Sequence, residues 1–340
     1  MNIRLIELAV PLLRPFRTAT GAMEERRVVL VGSTDGDQTG WGEAAPYLGV
    51  TPDTIEGVWS SLVGDLALTP TAAAALEGAE ADLAARLDGR PLWSSIGGSW
   101  RPLPSSLAIG LGDDAAERIE ATGPSAVKLK IQPGTDVARV EAVRRRYPDL
   151  TIGVDANAAY AWDDRDPLLA LDRFDVAYIE QPFSVDDLGS HAGLRRELLA
   201  DVVVDEAVGS VHDAVGVIEA DAADVLAVKP GRLGLEGCRV VHDVALAAGL
   251  RVKSSGLLET AVGRAHTLAV ALLPAAVYSD LADDSWFFGD SASSLPWPVA
   301  EGWVSAPELP GIGIDPDLDA LAPLIVREET VTRSADQDRG

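Results

Sequence analysis

Lysine is rare in this chain of 340 residues, and its few positions suggest chemistry. The four lysines, Lys128, Lys130, Lys229 and Lys253, stand against 24 arginines, so arginine carries most of the positive charge. Among cationic side chains, the lysine ammonium is the one that changes its pKa readily enough to act as a base. A biased genome composition would also make lysine rare, so the positions of the four carry more weight than their number.

Three acids separate the second lysine from the third at nearly constant steps. Asp155 follows Lys130 by 25 positions, and Glu180 and Asp205 follow at two further steps of 25. Lys229 comes 24 positions after Asp205. Each of these residues lies at or just past the end of a short run rich in valine and isoleucine. Such regular spacing indicates repeated units that bring equivalent positions together.

The apolar runs alternate with helical patterns, which predicts βα units and a parallel sheet. Eight runs are expected to be strands: 105–110, 126–131, 151–154, 176–179, 202–204, 225–228, 250–253 and 276–280. Eight strands in roughly 180 residues favour a compact (β/α)8 barrel, whose strand ends converge on one site. A doubly wound open sheet is the runner-up, but it would need a glycine-rich phosphate turn after its first strand, which the sequence lacks.

Three carboxylates that converge in one pocket repel one another, and a divalent cation relieves that repulsion. Few hard oxygen ligands, with room left for water and substrate, suit Mg²⁺. We therefore expect Asp155, Glu180 and Asp205 to hold Mg²⁺, for which Mn²⁺ is expected to substitute. The alternative is that each acid caps a helix or pairs with an arginine.

A proton α to a carboxylate is very weakly acidic, so its removal needs a metal ion and a nearby base. Side chains alternate along a strand, so Lys128 and Lys130 face the same way. We expect Lys128 and the metal ion to lower the pKa of Lys130 and so make it a base. Lys229, from the opposite side of the barrel, would be a second base or a fixed cation.

The chain is predicted to hold two domains. Residues 1–100 should form an α+β capping domain, from strand and helix patterns at 3–10, 27–32, 40–44, 51–68 and 71–87. We expect residues 287–326 to complete this cap and residues 101–286 to form the barrel. The stretch 327–340 is charged and has no large apolar residue after Val331, which predicts a flexible tail.

Composition excludes several classes of partner. The formal net charge of -25 argues against nucleic acid and anionic membrane surfaces, because both require a basic face. No apolar run reaches about 18 residues without charge, so no membrane span is expected. Cys238 is the only cysteine, which rules out an internal disulfide, and we expect it to be buried in a helix. We expect a cytoplasmic protein without a signal peptide that acts on a small carboxylate, with homo-oligomer formation left open.

Five motifs at the strand ends resemble the enolase superfamily, in its muconate-lactonizing subgroup. They are Lys128-Leu129-Lys130, Val154-Asp155-Ala156-Asn157, Ile179-Glu180-Gln181-Pro182, Val204-Asp205-Glu206 and Val228-Lys229-Pro230-Gly231. Pro15-Phe16-Arg17-Thr18 and Gly40-Trp41-Gly42-Glu43 extend the resemblance to the cap, so that it covers about residues 3–325. The resemblance implies an enolase-like modified TIM barrel in which the three acids hold Mg²⁺. It also implies that Lys130 is a base and that Lys229 faces it across the substrate.

Closer matching points to the group of o-succinylbenzoate synthase and N-succinylamino acid racemase. The segments that resemble this group are 127–131, 229–232 and 258–264. The resemblance implies a lyase that carries out Mg²⁺-dependent syn-dehydration of 2-succinyl-6-hydroxy-2,4-cyclohexadiene-1-carboxylate, through an enediolate, in menaquinone biosynthesis. The runner-up is racemisation of N-succinylamino acids, alone or beside dehydration. Another cycloisomerase or a dipeptide epimerase of the subgroup comes after that.

Contacts to the substrate are expected from the cap and from the strand ends, at Phe16, Thr18, Asn157, Ser254, Ser255, Gly256 and Leu257. Racemase-like members tend to have Gly-Gly-Met at the seventh strand end, where this chain has Ser255-Gly256-Leu257 after Ser254. This departure favours the dehydratase. If Ser254 points inward, Lys253 should point toward the helices as an end-of-strand charge.

Three alternatives predict other residues or another behaviour. The four histidines fall in helical patterns away from the strand ends, which disfavours a relative with a histidine base. A class I aldolase would use a lone barrel lysine to form a Schiff base and would not need three acids in a row. A non-catalytic Mg²⁺-binding relative would exchange no α-proton with solvent.

Overall fold

The computed structural model describes residues 2–47, 49–64, 66–288 and 299–332. In these ranges the chain forms an antiparallel sheet with helices, here called the cap, and an eight-stranded parallel barrel. One apolar core contains residues of both. Within the same ranges, no helix combines the length and the apolar character that crossing a bilayer requires.

The cap begins with three antiparallel strands in sequence order. β1 (Asn2–Thr18) pairs with β2 (Gly21–Asp35), which pairs with β3 (Gln38–Ala44). α1 (Ile55–Val63) and α2 (Pro70–Leu87) pack on one face of this sheet through a separate apolar cluster. The opposite face contributes to the core shared with the barrel, so both faces are buried.

β1 and β2 extend further than the apolar patterns at 3–10 and 27–32 predicted. Their pairing continues beyond an irregular stretch to Phe16 opposite Met23 and Thr18 opposite Gly21. Backbone hydrogen bonds hold these extended parts of β1 and β2 together, so the sequence shows no apolar periodicity there. It brings Phe16 and Thr18 to the mouth of the barrel.

β3 approaches α2 so closely that two of its positions accept only glycine. A Cβ atom on Gly40 would collide with the backbone of Leu83, and one on Gly42 would collide with the carbonyl oxygen of Ala75. Side chains alternate along a strand, so the intervening side chains point away from α2. Glu43 is thereby directed toward the barrel, where it is buried.

The eight barrel strands are parallel and lie in sequence order around the barrel. After the short β4 (Leu103–Pro104), they are β5 (Ser106–Ile109), β6 (Ala126–Lys130), β7 (Thr151–Asp155), β8 (Tyr178–Glu180), β9 (Asp201–Val204), β10 (Val225–Val228), β11 (Arg251–Ser254) and β12 (Ala276–Ser279). The Ser106 amide donates to the Leu281 carbonyl at 2.6 Å, which joins the first strand to the segment after the last. The predicted (β/α)8 barrel is confirmed.

Helices follow the strands on the outside of the barrel. The short α3 (Leu92–Ser95) comes before the barrel strands. The helices that follow strands are α4 (Ala115–Thr122), α5 (Asp136–Arg146), α6 (Asp166–Leu169), α7 (Leu188–Arg195), α8 (Val211–Glu219), α9 (Pro230–Ala247) and α10 (Ala261–Ala271). Asp136 is the first residue of α5, and Thr135 is its N-cap. Cys238 is buried in α9, as predicted.

The described part of the C-terminal segment, residues 299–332, pairs with a strand next to the barrel and with the cap sheet. β13 (Trp303–Val304) pairs with β4, and after α11 (Leu318–Leu321) the strand β14 (Ile325–Thr332) pairs with β1 at the edge of the cap sheet. The boundaries at residues 100 and 286 stay predictions.

The prediction of a flexible tail is wrong for residues 327–332, which belong to β14. Arg327 pairs with Glu7 and Glu56, and Val331 packs against the apolar cluster of the cap. These contacts depend on partners far away in sequence, so charge content alone did not indicate a strand. Residues 333–340, and residues 289–298 with Pro296 and Pro298, lie outside the described ranges.

The close approach of β3 to α2 gives a test of this packing. Gly42→Ala should destabilise the protein by about 1–3 kcal/mol, because the added methyl group must displace a helix backbone. Gly216→Ala in α8 is the matched control, since nothing lies within 4 Å of its Cβ position. It should stabilise by about 0.4–1 kcal/mol. Urea unfolding followed by circular dichroism measures both, and equal effects would contradict the packing.

Candidate active site

The barrel strands bring all the predicted reactive residues to one end. Strand β6 carries the first two lysines, β7 and β8 end in acids, and the chain leaving β9 and β10 contributes one acid and one lysine. These six are Lys128, Lys130, Asp155, Glu180, Asp205 and Lys229, and none is more than 6% exposed. Five of the six line one cleft with a volume of about 680 Å³, namely Lys128, Lys130, Asp155, Asp205 and Lys229.

Lys130 is fixed by the strand next to it. Its Nζ atom lies 2.6 Å from Oδ2 of Asp155 and 2.8 Å from Oδ1 of Asn157. Burial and the neighbouring ammonium of Lys128 lower the pKa of Lys130, but the carboxylate of Asp155 outweighs them and the pKa is raised. Lys128 thus acts in the expected direction, and the lowering of the Lys130 pKa beside a bound metal ion stays a prediction.

Lys128 lies deeper and bridges three carboxylates. Its Nζ atom is 2.7 Å from Asp280, 3.2 Å from Glu180 and 3.3 Å from Asp155. Burial lowers the pKa of Lys128, and the three carboxylates together raise it well above its usual range. Lys128 is therefore a permanent cation in this arrangement.

Lys229 stands across the barrel from Lys130, because β10 and β6 are four strands apart in a ring of eight. Its Nζ atom lies 2.9 Å from Oδ2 of Asp205 and 3.1 Å from the carbonyl oxygen of Gly256. Arg232, in the first turn of α9, donates to the carbonyl oxygen and to Oδ1 of Asp205. Burial raises the pKa of Asp205, but Lys229 and Arg232 hold it below its usual range.

Lys253 points into the barrel, and the expectation that it faces the helices is wrong. It is 0% exposed, and its Nζ atom lies 2.6 Å from Asp280 and 3.2 Å from Glu180. Ser254 is the residue that faces outward, where its hydroxyl donates to the carbonyl oxygen of Thr267 in α10. The hydroxyl of Ser255 accepts from Lys253 at 2.7 Å.

The expected substrate contacts divide accordingly. Five of them line the cleft, namely Phe16, Thr18, Asn157, Gly256 and Leu257. Ser254 and Ser255 do not line it, because one faces the helix layer and the other is bound to Lys253. The cap adds Tyr47 and Val50 to the same cleft.

Three further charged residues of the site were not predicted from the sequence. Asp280 follows β12 and binds both Lys128 and Lys253. Its position 26 residues after Ser254, at the end of the eighth strand, was the available signal. Glu206 accepts a hydrogen bond from Asn157 at 2.8 Å. Its pKa is raised to about 7, mainly by burial and further by the negative charges of Asp205 and Asp155. Arg232, described above, is the third.

The predicted ligands have the donor chemistry that a divalent cation requires. Among the described residues, no three metal-binding side chains stand together as a ready coordination set, because lysines occupy the spaces between the acids. Oε2 of Glu180 is nevertheless buried without a hydrogen-bond donor. Burial, opposed by Lys128 and Lys253, raises the pKa of Glu180 to about 7. Nζ of Lys253 lies 3.2 Å from this oxygen without a hydrogen bond, and a hard cation between these carboxylates would coordinate it directly.

Comparison with known proteins identifies the family. Residues 110–320 match the family described as Enolase C-terminal domain-like. The chain belongs to the enolase superfamily. An o-succinylbenzoate synthase from Geobacillus stearothermophilus is 33% identical over 92% of each chain. An N-succinylamino acid racemase from Thermus thermophilus is 36% identical over 72% of this chain and 69% of its own.

A solved structure extends the similarity to three dimensions. A probable mandelate racemase from Alicyclobacillus acidocaldarius superposes with a TM-score of 0.85 at 33% identity. The alignment covers 97% of this chain and 98% of that one, so it includes both the cap and the barrel. The resemblance that the strand-end motifs indicated is thereby confirmed.

The inward position of Lys253 predicts a large loss of stability when its charge is removed. Lys253→Met leaves Asp280 and Glu180 to share the ammonium group of Lys128, so one buried negative charge loses its compensation, which should cost about 3–5 kcal/mol. The control is Arg196→Met, since the pair of Arg196 with Asp221 is exposed and should contribute about 0–1 kcal/mol. Urea unfolding of the two variants beside the parent protein makes the comparison. A loss for Lys253→Met as small as that of the control would place Lys253 outside the barrel.

Proposed function

We propose that this chain catalyses the o-succinylbenzoate synthase reaction, the syn-dehydration of 2-succinyl-6-hydroxy-2,4-cyclohexadiene-1-carboxylate through an enediolate, as a lyase of menaquinone biosynthesis. The observation that carries the proposal is the pair of buried lysines that face each other across one cleft, with three carboxylates on the strands between them. The similarity to o-succinylbenzoate synthases over nearly the whole chain supports the choice of substrate.

Asp155, Glu180 and Asp205 are the residues that would hold Mg²⁺, with Mn²⁺ as an expected substitute. When bound, the cation would supply positive charge to the substrate carboxylate, with Asp155 as its ligand instead of as the partner of Lys130. Released from that pair, Lys130 keeps the two influences that lower its pKa, burial and the charge of Lys128. It can then accept the α-proton on one face of the ring.

Lys130 also explains why loss of water would be syn. Once it holds the α-proton, its ammonium lies on the face from which the hydroxyl group leaves and can protonate that group. Lys229 on the opposite face contributes a fixed positive charge near the ring, in the manner of a cation–π contact. Phe16 and Leu257 line the same cleft and would exclude water from the reacting atoms.

The second candidate is racemisation of N-succinylamino acids, alone or beside dehydration. A racemase needs a base on each face of the α-carbon, and Lys130 and Lys229 stand on opposite sides of the cleft. The similarity to N-succinylamino acid racemases supports this reading. Another cycloisomerase or a dipeptide epimerase of the subgroup is a more distant alternative. A cytoplasmic location and formation of a homo-oligomer belong to the proposal as well.

Turnover of both substrates in parallel tests the function. With Mg²⁺ present, the purified protein should form o-succinylbenzoate, followed by absorbance, and EDTA should abolish the reaction until Mg²⁺ or Mn²⁺ is restored. Exchange of the α-proton of N-succinylamino acids, followed by NMR in D₂O, measures the second activity. Absence of both reactions in the presence of metal would refute both candidates.

Replacement of single lysines separates the two activities. Lys229→Arg keeps the positive charge and should retain most of the dehydration rate, but it should lose racemisation by about 10²–10⁴-fold because a general base is removed. Lys130→Arg is the matched variant, and it should abolish both activities. Equal losses of both activities in Lys229→Arg would argue that Lys229 takes a proton in dehydration as well.

A further inference from the structure

A buried arginine of the cap is bound to the barrel close to the cleft. Arg26, on β2, is 2% exposed, and its guanidinium group donates to four backbone carbonyl oxygens. Two belong to the cap, at Ala45 and Pro46, with distances of 2.8 and 2.7 Å. Two belong to the loop between β11 and α10, at Leu257 and Leu258, with distances of 3.0 and 3.1 Å.

The loop that Arg26 holds, residues 255–260, forms one wall of the cleft. Its far end is also attached to the cap, because Glu43 accepts from the Thr260 amide at 2.8 Å and from the Thr260 hydroxyl at 2.7 Å. Glu43 further accepts from the Gly263 amide at 2.8 Å, in the first turn of α10. Two cap strands therefore fix the loop at two successive points.

The same loop binds one of the reactive lysines. The carbonyl oxygen of Gly256 accepts from Nζ of Lys229 at 3.1 Å, and Gly256 directly precedes the first carbonyl that Arg26 holds. The other partner of Lys229 is Asp205, an expected metal ligand. When Asp205 binds a cation, Gly256 remains as the contact that orients the ammonium group of Lys229.

We propose that Arg26 is a positioning residue for Lys229, acting through the backbone of residues 256–258. This inference rests on the proposed function only in giving Lys229 a role in turnover. The cap then orients Lys229, whereas the barrel alone orients the opposed Lys130. Lys130 is held by Asp155 and Asn157, both of which belong to the barrel.

The scarcity of lysine allows a test that does not depend on activity. Protein labelled with ¹³C at the lysine ε-carbons should give signals from only four side chains, and single Lys→Arg variants assign them. Arg26→Met should shift the signal of Lys229 and leave that of Lys253 in place. Arg26→Lys, which keeps a donor at this point and adds a fifth signal of its own, should give a smaller shift of the Lys229 signal.

Arg101→Met is the matched control. Arg101 also donates to four backbone carbonyl oxygens, but these lie at the end of α10 and in the following segment, at Ala271, Leu272, Leu273 and Ala276. Its loss removes the same number of hydrogen bonds without touching the cleft loop. It should leave the Lys229 signal unchanged. Equal shifts in Arg26→Met and Arg101→Met, or no shift of Lys229 in either Arg26 variant, would overturn the inference.

Proton exchange adds a readout that general destabilisation would not produce. Each enantiomer of an N-succinylamino acid presents its α-proton to one lysine, which Lys130→Arg and Lys229→Arg identify. In Arg26→Met, exchange on the Lys229 face should fall roughly 10²-fold, the effect of a misplacement near 1 Å, while the Lys130 face keeps its rate. Equal losses on both faces would overturn the inference. If the parent protein exchanges neither enantiomer, racemisation is refuted, and the lysine signals still decide the role of Arg26.

Discussion

The structure depends on one electrostatic constraint, the burial of four ammonium groups inside a barrel. An unpaired buried charge is strongly unfavourable, so each lysine must meet a carboxylate. Lys128 and Lys253 share Glu180 and Asp280, while Lys130 binds Asp155 and Lys229 binds Asp205. Four carboxylates thus form ion pairs with the four lysines, and these ion pairs connect different strands of the barrel. The ion pairs that offset the cost of burying these charges also hold the reactive groups at the cleft, so stability and catalysis depend on the same residues.

The cap is tied to this barrel by charge as well as by apolar packing. Glu43 binds amides at the start of α10, and Glu77 of α2 accepts from the Glu236 amide at 2.7 Å, after the break in α9 at Gly234. Carboxylates are favourable at helix N-termini because unpaired amides and the helix dipole meet them there. α9 and α10 follow the strands that lead to Lys229 and to the cleft loop. The contacts of Glu43 and Glu77 therefore fix the orientation of the cap close to Lys229 and the cleft loop.

The placement of the reactive residues could be predicted because a parallel barrel repeats one unit. Equal steps along the chain return to the same end of the barrel, so Lys130, Asp155, Glu180 and Asp205 could be grouped from spacing alone. Spacing does not fix which face a side chain takes, because a shift of one residue in a strand reverses it. A step of 25 from Lys229 reaches Ser254, whereas the inward position is Lys253, which pairs in register with Ala227 of the barrel interior.

The sequence by itself determined the class of fold, the family and the chemical character of the site, because residue type and strand period are local properties. It could not determine which charges meet, since Asp280 reaches Lys128 across 152 positions and Glu43 reaches Thr260 across 217. Tertiary structure decided the inward position of Lys253, the edge strand made from a charged terminus and the attachment of the cap to the cleft loop. Each of these follows from a hydrogen bond or ion pair between distant segments, and such a partnership exists only once the chain has folded.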